Sequence, residues 1–296
     1  MPCSDTPLTG DIVGTIRRDW GLALTAPERA ERLYGGEESA AYRIGRHVVR
    51  VGPSWRASAE MEWCHALAAA AATRVPEIIA PCRTKSGSTV VRVARRPITV
   101  WPFVDGSWGD DGDLQQRKNA ADLLARLHRA LAHVSCAAPP PRSAPRAEAP
   151  DLRDVDLDAW LTDFDGQHPV QQPLHGDFYA GNVLVRGGRI VGLLDWDEAL
   201  LGPPERELAW AAWEWGDGLS TLGSDLEVIL TFVADYVAAG GPALPIDEQT
   251  LRQLVRQRLR REVEYARATH DLGAALNHDD REYEARQLQA FRVLRP

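Results

Sequence analysis

Between Leu174 and Trp196 the sequence reads LHGDFYAGNVLVRGGRIVGLLDW, and this stretch constrains the fold more than any other. Val183–Val185 and Ile190–Leu194 are short apolar runs on either side of Arg186-Gly187-Gly188-Arg189. A Gly-Gly pair suits a two-residue hairpin turn, because both central positions can take positive φ. With Gly187 and Gly188 as the turn, the arms pair so that Asn182 lies opposite Leu193. Asp195 then sits two residues further along the same face, roughly 7 Å away at about 3.3 Å per residue. Asp177, five residues before Asn182, enters from the preceding loop. Two carboxylates and an amide oxygen thus gather at one end of a sheet, a donor set that suits a hard cation such as Mg²⁺. The competing reading is a structural turn in which Asp177 and Asn182 cap backbone groups.

The rest of the chain supplies a setting for that hairpin. Residues 11–34 read as one or two helices, with Pro27 available for a first turn. Ala41–Ile44 and Val48–Val51 read as strands joined at Gly45-Arg46. Ser58–Thr73 is alanine-rich and helical, with Met61, Cys64, Leu67 and Ala68 on one buried face, and Pro76 stops it. Ile78–Ala80, Thr89–Val93 and Ile98–Phe103 read as further strands, with Lys85–Ser88 a polar turn. Leu123, Leu127 and Leu131 recur at helical spacing within a helix over 114–133. Residues 136–150 hold five prolines and predict an exposed, semi-rigid connection. A helix around Leu157–Phe164 follows, and from Arg206 onward the pattern is helical with a break near Gly240–Pro245.

Composition narrows the class. With 44% hydrophobic and 26% charged residues the 296-residue chain has an ordinary globular balance and enough length for a sizeable core. Residues 1–150 hold 20 Lys and Arg against 16 Asp and Glu, a net of +4; residues 151–296 hold 14 against 26, a net of −12. An acidic C-terminal half favours cationic small molecules and disfavours nucleic acid. Cys3, Cys64, Cys82 and Cys136 form no CxxC pair, so a reducing cytoplasm is expected and neither a disulfide framework nor a zinc knuckle. The first residues carry no basic stretch followed by an apolar core, so no signal peptide is expected, and no apolar run is long enough to span a membrane.

The order HGD, Asn five residues after the Asp, a glycine hairpin and then LLDW resembles the catalytic loop and metal-binding Asp of the protein-kinase fold. The wording H-G-D-x-x-x-x-N is similar to the aminoglycoside phosphotransferase family, also called the phosphotransferase enzyme family. Leu124-Ala-Arg-Leu-His128 and Gly202-Pro-Pro-Glu-Arg-Glu-Leu-Ala209 resemble it too, and the likeness extends over essentially the whole chain. It implies an α+β, two-lobed protein-kinase-like fold, with a small antiparallel-sheet N-lobe over residues 1–103 and a mostly helical C-lobe over 104–296. It implies a kinase that moves the γ-phosphate of ATP (or GTP), with Mg²⁺, to a hydroxyl of a small molecule. The acceptor expected is an antibiotic, an aminoglycoside or similar cationic natural product. A metabolite kinase acting on an amino alcohol, homoserine or sugar is the alternative, as is a nucleotide-binding pseudokinase. A monomer or dimer is expected.

By the same resemblance Asp177 accepts or orients the proton of the attacking hydroxyl, and Asn182 and Asp195 hold Mg²⁺ on the nucleotide phosphates. His175 is expected to be a structural hydrogen-bonding residue. A metal-dependent hydrolase built on His175 and Asp177 is a weaker rival, because no other histidine lies nearby at ligand spacing. The family's phosphate-contacting strand cation falls on Arg50, where lysine is commoner; the guanidinium fork suits phosphate. Its helix partner is Glu60, with Glu62 as runner-up. The loop Gly35–Ala40 would cover the phosphates through backbone N–H groups, with Ser39 contributing. Ile98–Val104 falls where the hinge belongs, so the adenine edge would meet the carbonyl of Pro102 and the N–H of Val104, with Trp101 either lining the pocket or an ordinary core residue. Glu214, Asp217, Glu262, Glu264 and Asp271 are candidate carboxylates for a cationic acceptor. Trp210, Trp213 and Trp215 either stack on it or belong to the core.

Overall fold

In a computed structural model the described residues are 6–22, 30–34, 39–143, 149–168, 171–223, 226–270 and 278–296. They fall into two compact units, residues 1–105 with 137–144, and residues 106–136 with 145–296.

The first unit is a five-stranded antiparallel sheet with two helices. Its elements are α1 (Gly10–Asp19), β1 (Glu31–Leu33), β2 (Ala40–Ile44), β3 (His47–Val51), α2 (Ser58–Ala72), β4 (Val91–Val93) and β5 (Arg96–Pro102), with strand order β1-β2-β3-β5-β4. Gly45 takes φ +60 at the β2–β3 turn, a conformation glycine enters at no steric cost. Thr9 caps α1, accepting from the Ile12 N–H at 3.4 Å. Ile12, Val13, Ile16 and Trp20 pack on Ala40, Ile44, Val49, Val51, Ile98 and Val100 of the sheet.

Three expectations change here. Among the described residues the helical reading of 11–34 holds to Asp19, and Glu31–Leu33 is a strand, because it pairs with Arg43, Tyr42 and Ala41 of β2. Pro27 lies outside the described residues. Ile78–Ala80 makes only an isolated bridge at Ile78. The strand expected from Thr89 starts at Val91, because the N–H groups of Thr89 and Val90 donate to the Glu62 carboxylate, at 2.8 and 3.0 Å, instead of to a neighbouring strand.

The described part of the proline-rich connection, residues 136–143, stays largely exposed, yet it is tied to α2. The Ala137 carbonyl accepts from the Trp63 indole at 2.9 Å, and Ser143 Oγ accepts from the Ala57 N–H at 3.0 Å.

The second unit contains β6 (Ser107–Trp108), α3 (Leu114–Leu131), α4 (Val155–Gln167), β7 (Gln172–Leu174), β8 (Val183–Arg186), β9 (Arg189–Leu193), β10 (Leu200–Gly202), α5 (Pro204–Trp215), α6 (Gly218–Thr221), α7 (Leu226–Ala238), α8 (Glu248–His270) and α9 (His278–Val293). Asp113 caps α3 by accepting from the N–H groups of Gln115 and Gln116. α3 packs against α7 and against β7, α5 packs against α7 and α8, and α9 packs against α8. Leu123, Leu127 and Leu131 are buried where the periodicity places them, and Leu124 is buried beside them. β7 pairs with β10, and β6, β8 and β9 form a second small sheet.

β8 and β9 are the hairpin. Gly187 and Gly188 sit at φ +59 and +74, as a two-glycine turn requires. The register starts as expected, with Arg186 opposite Arg189 and Val185 opposite Ile190, then slips: Leu184 faces Gly192 and Val183 faces Leu193. A β-bulge at Val191 inserts one residue. Asn182 therefore meets Leu194, whose N–H donates to the Asn182 carbonyl at 2.8 Å, and not Leu193. Asp195 is one residue beyond that pairing, not two.

Candidate active site

The chain from Leu174 to Asn182 leaves β7, runs through the His-Gly-Asp loop and ends in a 3-10 turn, Ala180–Asn182, that feeds β8. Gly176 takes φ +88, and a Cβ there would stand 2.1 Å from the Glu198 carbonyl oxygen. Only glycine fits, because the conformation and the close approach both exclude a side chain.

Glu207 of α5 holds this loop from inside. Its carboxylate accepts from the His175 N–H at 3.2 Å, from the Gly176 N–H, and from His128 Nε2 at 2.8 Å. His128 Nδ1 accepts from the Tyr236 hydroxyl at 2.8 Å, which accepts in turn from the Ala243 N–H at 3.2 Å. Burial alone would push the Glu207 carboxyl up; hydrogen bonds and the neighbouring His128 and His175 outweigh it and hold the group below its ordinary value. This buried set is satisfied from Ala243 to Gly176, which makes it rigid.

His175 is fully buried. Its Nδ1 accepts from the Asp177 N–H at 3.2 Å, so the proton sits on Nε2, which donates to the Leu194 carbonyl at 2.8 Å. The ring thereby ties the loop to the segment after β9 that carries Asp195, and packs edge-on to Trp196 at 4.8 Å between centroids. Burial lowers its affinity for a proton, against the pull of Glu207.

Asp177 keeps 30% of its side chain exposed. Asn182 Nδ2 donates to the Asp177 main-chain carbonyl and to Oδ2, both at 2.8 Å. Arg258 Nη2 donates to Oδ1 at 3.4 Å. Burial pushes the Asp177 carboxyl up; Arg258 opposes this, Glu262, Asp195 and Glu198 add to it, and the result is about 7. A carboxylate poised there is matched to proton acceptance near neutral pH.

Asn182 spends its amide N–H groups on Asp177, which leaves its Oδ1 for a cation. Asp195, at φ +55, brings a carboxylate from the neighbouring strand end. An amide oxygen and a carboxylate oxygen fit Mg²⁺, which takes one or two carboxylates and completes its octahedron with phosphate oxygens and water. Among the described residues no group of three His, Cys, Asp or Glu gathers as a metal site.

More carboxylates surround Asp177. Burial raises the Glu214 carboxyl to about 8, with Asp177 and Glu262 adding to the rise. Burial and the charge of Asp217 raise Asp111. Glu214, Asp217 and Glu262 of the expected acceptor set thus lie in one electrostatic group with Asp111 and Asp177. Glu264 is half-buried on α8, and Asp271 lies outside the described residues. Trp210, Trp213 and Trp215 are buried core residues. Trp210 lies under the Arg258 guanidinium, 5.2 Å from the ring centroid. Gly176, Trp210 and Arg258 also line a cavity of about 40 Å³, far below the ~300 Å³ at which pockets for drug-sized ligands begin.

The residues expected to meet nucleotide lie in the first unit. Arg50 is on β3, opposite Ala41 and Thr99. Glu60 is buried in the first turn of α2, and its carboxylate accepts from Arg142 at 3.3 Å and from the Ser143 N–H at 2.9 Å. Glu62 accepts from Ser88, Thr89 and Val90, which outweighs burial and holds its carboxyl low. Ser39 is buried beside β2. Trp101 is buried on β5, donating to Thr99 Oγ1 at 2.9 Å and packing edge-on to His65. Pro102 ends β5 exposed, and Val104 is half-buried just beyond it. Gly35–Glu38 of the glycine loop lie outside the described residues.

Glu207 and Arg258 escaped the sequence reading. Glu207 stands in the tail motif GPPERELA but carries no local sign of its role. Arg258 is one of six arginines on α8, 81 residues beyond Asp177, and nothing in the sequence sets it apart from the others.

A β-sheet unit with two helices, and a helical unit carrying the HGD loop and a bulged hairpin, define a protein-kinase-like fold. A family model described as Phosphotransferase enzyme family matches residues 29–254, and the chain belongs to that family. A homoserine kinase of Allorhizobium ampelinum is 27% identical over 131 residues, covering 39% of this chain and 40% of that protein. The chain therefore spans about two fifths of the length of that curated relative. Among solved structures, an amicoumacin kinase in complex with AMP-PNP, Ca²⁺ and Ami superposes with TM-score 0.64 at 14% identity, covering 97% of this chain and 93% of that one. A spectinomycin phosphotransferase in complex with ADP and its antibiotic superposes with TM-score 0.59 at 17% identity, covering 97% and 95%. No helix among the described residues is long and apolar enough to cross a membrane.

Proposed function

We propose that this protein is a small-molecule kinase that transfers the γ-phosphoryl group of ATP (or GTP) to a hydroxyl of an antibiotic, an aminoglycoside or similar cationic natural product. The observation that carries the reading is the setting of Asp177. Its Oδ2 is held by Asn182, its Oδ1 faces Arg258, and its carboxyl sits near 7. In this reading Asp177 accepts a hydrogen bond from the acceptor hydroxyl and aims its oxygen at the γ-phosphorus. It takes the proton as the new P–O bond forms and the bond to the nucleoside diphosphate breaks.

Asn182 and Asp195 would hold Mg²⁺, which when bound neutralises charge on the phosphates. Arg50, Glu60, Ser39, Trp101, Pro102 and Val104 are the proposed nucleotide-binding residues. The grouping of Asp111, Glu214, Asp217 and Glu262 near Asp177 supports an acceptor with amines, because coupled carboxylates favour a cation that relieves their repulsion. Phosphoryl transfer depends on placement and charge neutralisation more than on covalent chemistry, which these residues can supply.

The partial match to a homoserine kinase supports a second reading, phosphorylation of homoserine or another amino alcohol. The test is nucleotide consumption with Mg²⁺ across aminoglycosides, macrolides, peptide and nucleoside antibiotics, homoserine and amino alcohols. Turnover with a cationic antibiotic is the expected result. Turnover confined to homoserine or a simple amino alcohol selects the second reading. Nucleotide binding with no turnover on any acceptor rejects both and leaves a nucleotide-binding protein.

A further inference from the structure

We propose that Arg258 is a positioning residue for the transfer: from α8 it fixes the Gly176–Asp177 peptide and the Asp177 carboxylate together, so that Oδ1 stays turned toward the acceptor hydroxyl. The inference rests on the reading of Asp177 as the group that takes the hydroxyl proton.

The geometry is that of one guanidinium reading two consecutive points of the chain. Nη1 donates to the Gly176 carbonyl at 2.9 Å, and Nη2 donates to Asp177 Oδ1 at 3.4 Å. A planar fork that holds a main-chain oxygen and the next side chain sets the angle between them. That matters because rotation of a carboxylate about its last bond is soft and has no sharp preference of its own. Asn182 anchors Oδ2 at 2.8 Å, and Arg258 is the anchor on the other oxygen. The longer of the two contacts falls on Oδ1, the atom with room for a further hydrogen bond.

Arg258 is itself held on several sides. Its side chain is 13% exposed, its Nε pairs with Glu262 one helical turn on at 2.5 Å, and its plane lies over Trp210 of α5. The same helix carries Glu207, which accepts from the Gly176 N–H. Gly176 is thus gripped at its N–H from α5 and at its carbonyl from α8, and Asp177 follows directly. A displacement of about 1 Å at such a point can cost a hundredfold in rate.

The test is steady-state kinetics of Arg258→Met and Arg258→Lys with an acceptor that turns over, alongside Asp177→Asn and the double variant. Arg258→Met should lower kcat roughly a hundredfold, while KM for nucleotide and acceptor stays within a few-fold. Arg258→Lys should recover part of that loss, because an ammonium keeps the charge but cannot span both oxygens. In the Asp177→Asn background, Arg258→Met should slow the residual rate no further, because the group it positions is gone.

Wild-type kcat in both arginine variants overturns the inference. So does an Arg258→Met factor that is the same with and without Asp177. Should Arg258→Met fail to fold, the kcat and KM of Arg258→Lys decide in the same way. Full activity of Asp177→Asn alone would reject the reading of Asp177 itself, a result separate from any behaviour of Arg258.

Discussion

Glu207 Oε2 and His128 Nε2 lie 2.8 Å apart in the interior, and the same carboxylate accepts the main-chain N–H groups of His175 and Gly176. One side chain on α5 therefore joins α3 to the loop that presents Asp177. Glu207→Ala would leave three buried donors without an acceptor, and breaking a buried pair by removing one partner costs about 3–5 kcal/mol. Denaturant unfolding should show a loss in that range with an unchanged m value. A loss under about 1 kcal/mol would mean that the loop is held by other contacts.

Acid should act through the same group. The Glu207 carboxyl is held below its ordinary 4.5 in the folded protein, so the unfolded chain takes up the proton first as pH falls. The stability that Glu207 contributes is complete above the unfolded value of 4.5 and is lost as pH drops through the lower folded value. The stability gap between wild type and Glu207→Gln should be constant from pH 8 to about pH 5.5 and narrow below pH 4.5. A gap that widens in acid would show that the group is not held low.

Gly176→Ala should uncouple the loop. The position needs φ +88, which costs a residue with a Cβ about 1–2 kcal/mol, and the added carbon would meet the Glu198 carbonyl oxygen at 2.1 Å. Main chain must then move by on the order of 1 Å next to Asp177, which predicts a fall in kcat of about a hundredfold. Wild-type kinetics in this variant would show that placement of Asp177 tolerates such a shift.

Much of the hairpin was legible because its signals are local. Gly187-Gly188 announces its turn, and Asp177, Asn182 and Asp195 lie within a span that one turn brings together. The bulge at Val191 was not legible, since no residue there demands one, and it moved Asn182 from Leu193 to Leu194. The late start of β4 came from Glu62, a side chain 27 residues from Thr89 that takes the strand's N–H groups for itself. Glu31–Leu33 looked helical in isolation and became a strand because β2 offered it an edge. Glu207 and Arg258 reach the HGD loop from helices 31 and 81 residues downstream of the groups they bind, with no pattern to mark them. The helix side chains that hold the Gly176–Asp177 peptide are products of tertiary packing, whereas the hairpin and the Asn182–Asp177 contact are products of neighbours in sequence.

The most direct test of the account is Asp177→Asn, assayed for Mg²⁺-dependent phosphoryl transfer and, separately, for nucleotide binding by calorimetry. The amide keeps the shape of the group but cannot take the hydroxyl proton, so kcat should fall by about 10²–10⁴-fold while nucleotide affinity changes little. Turnover within a few-fold of wild type would contradict the role assigned to Asp177.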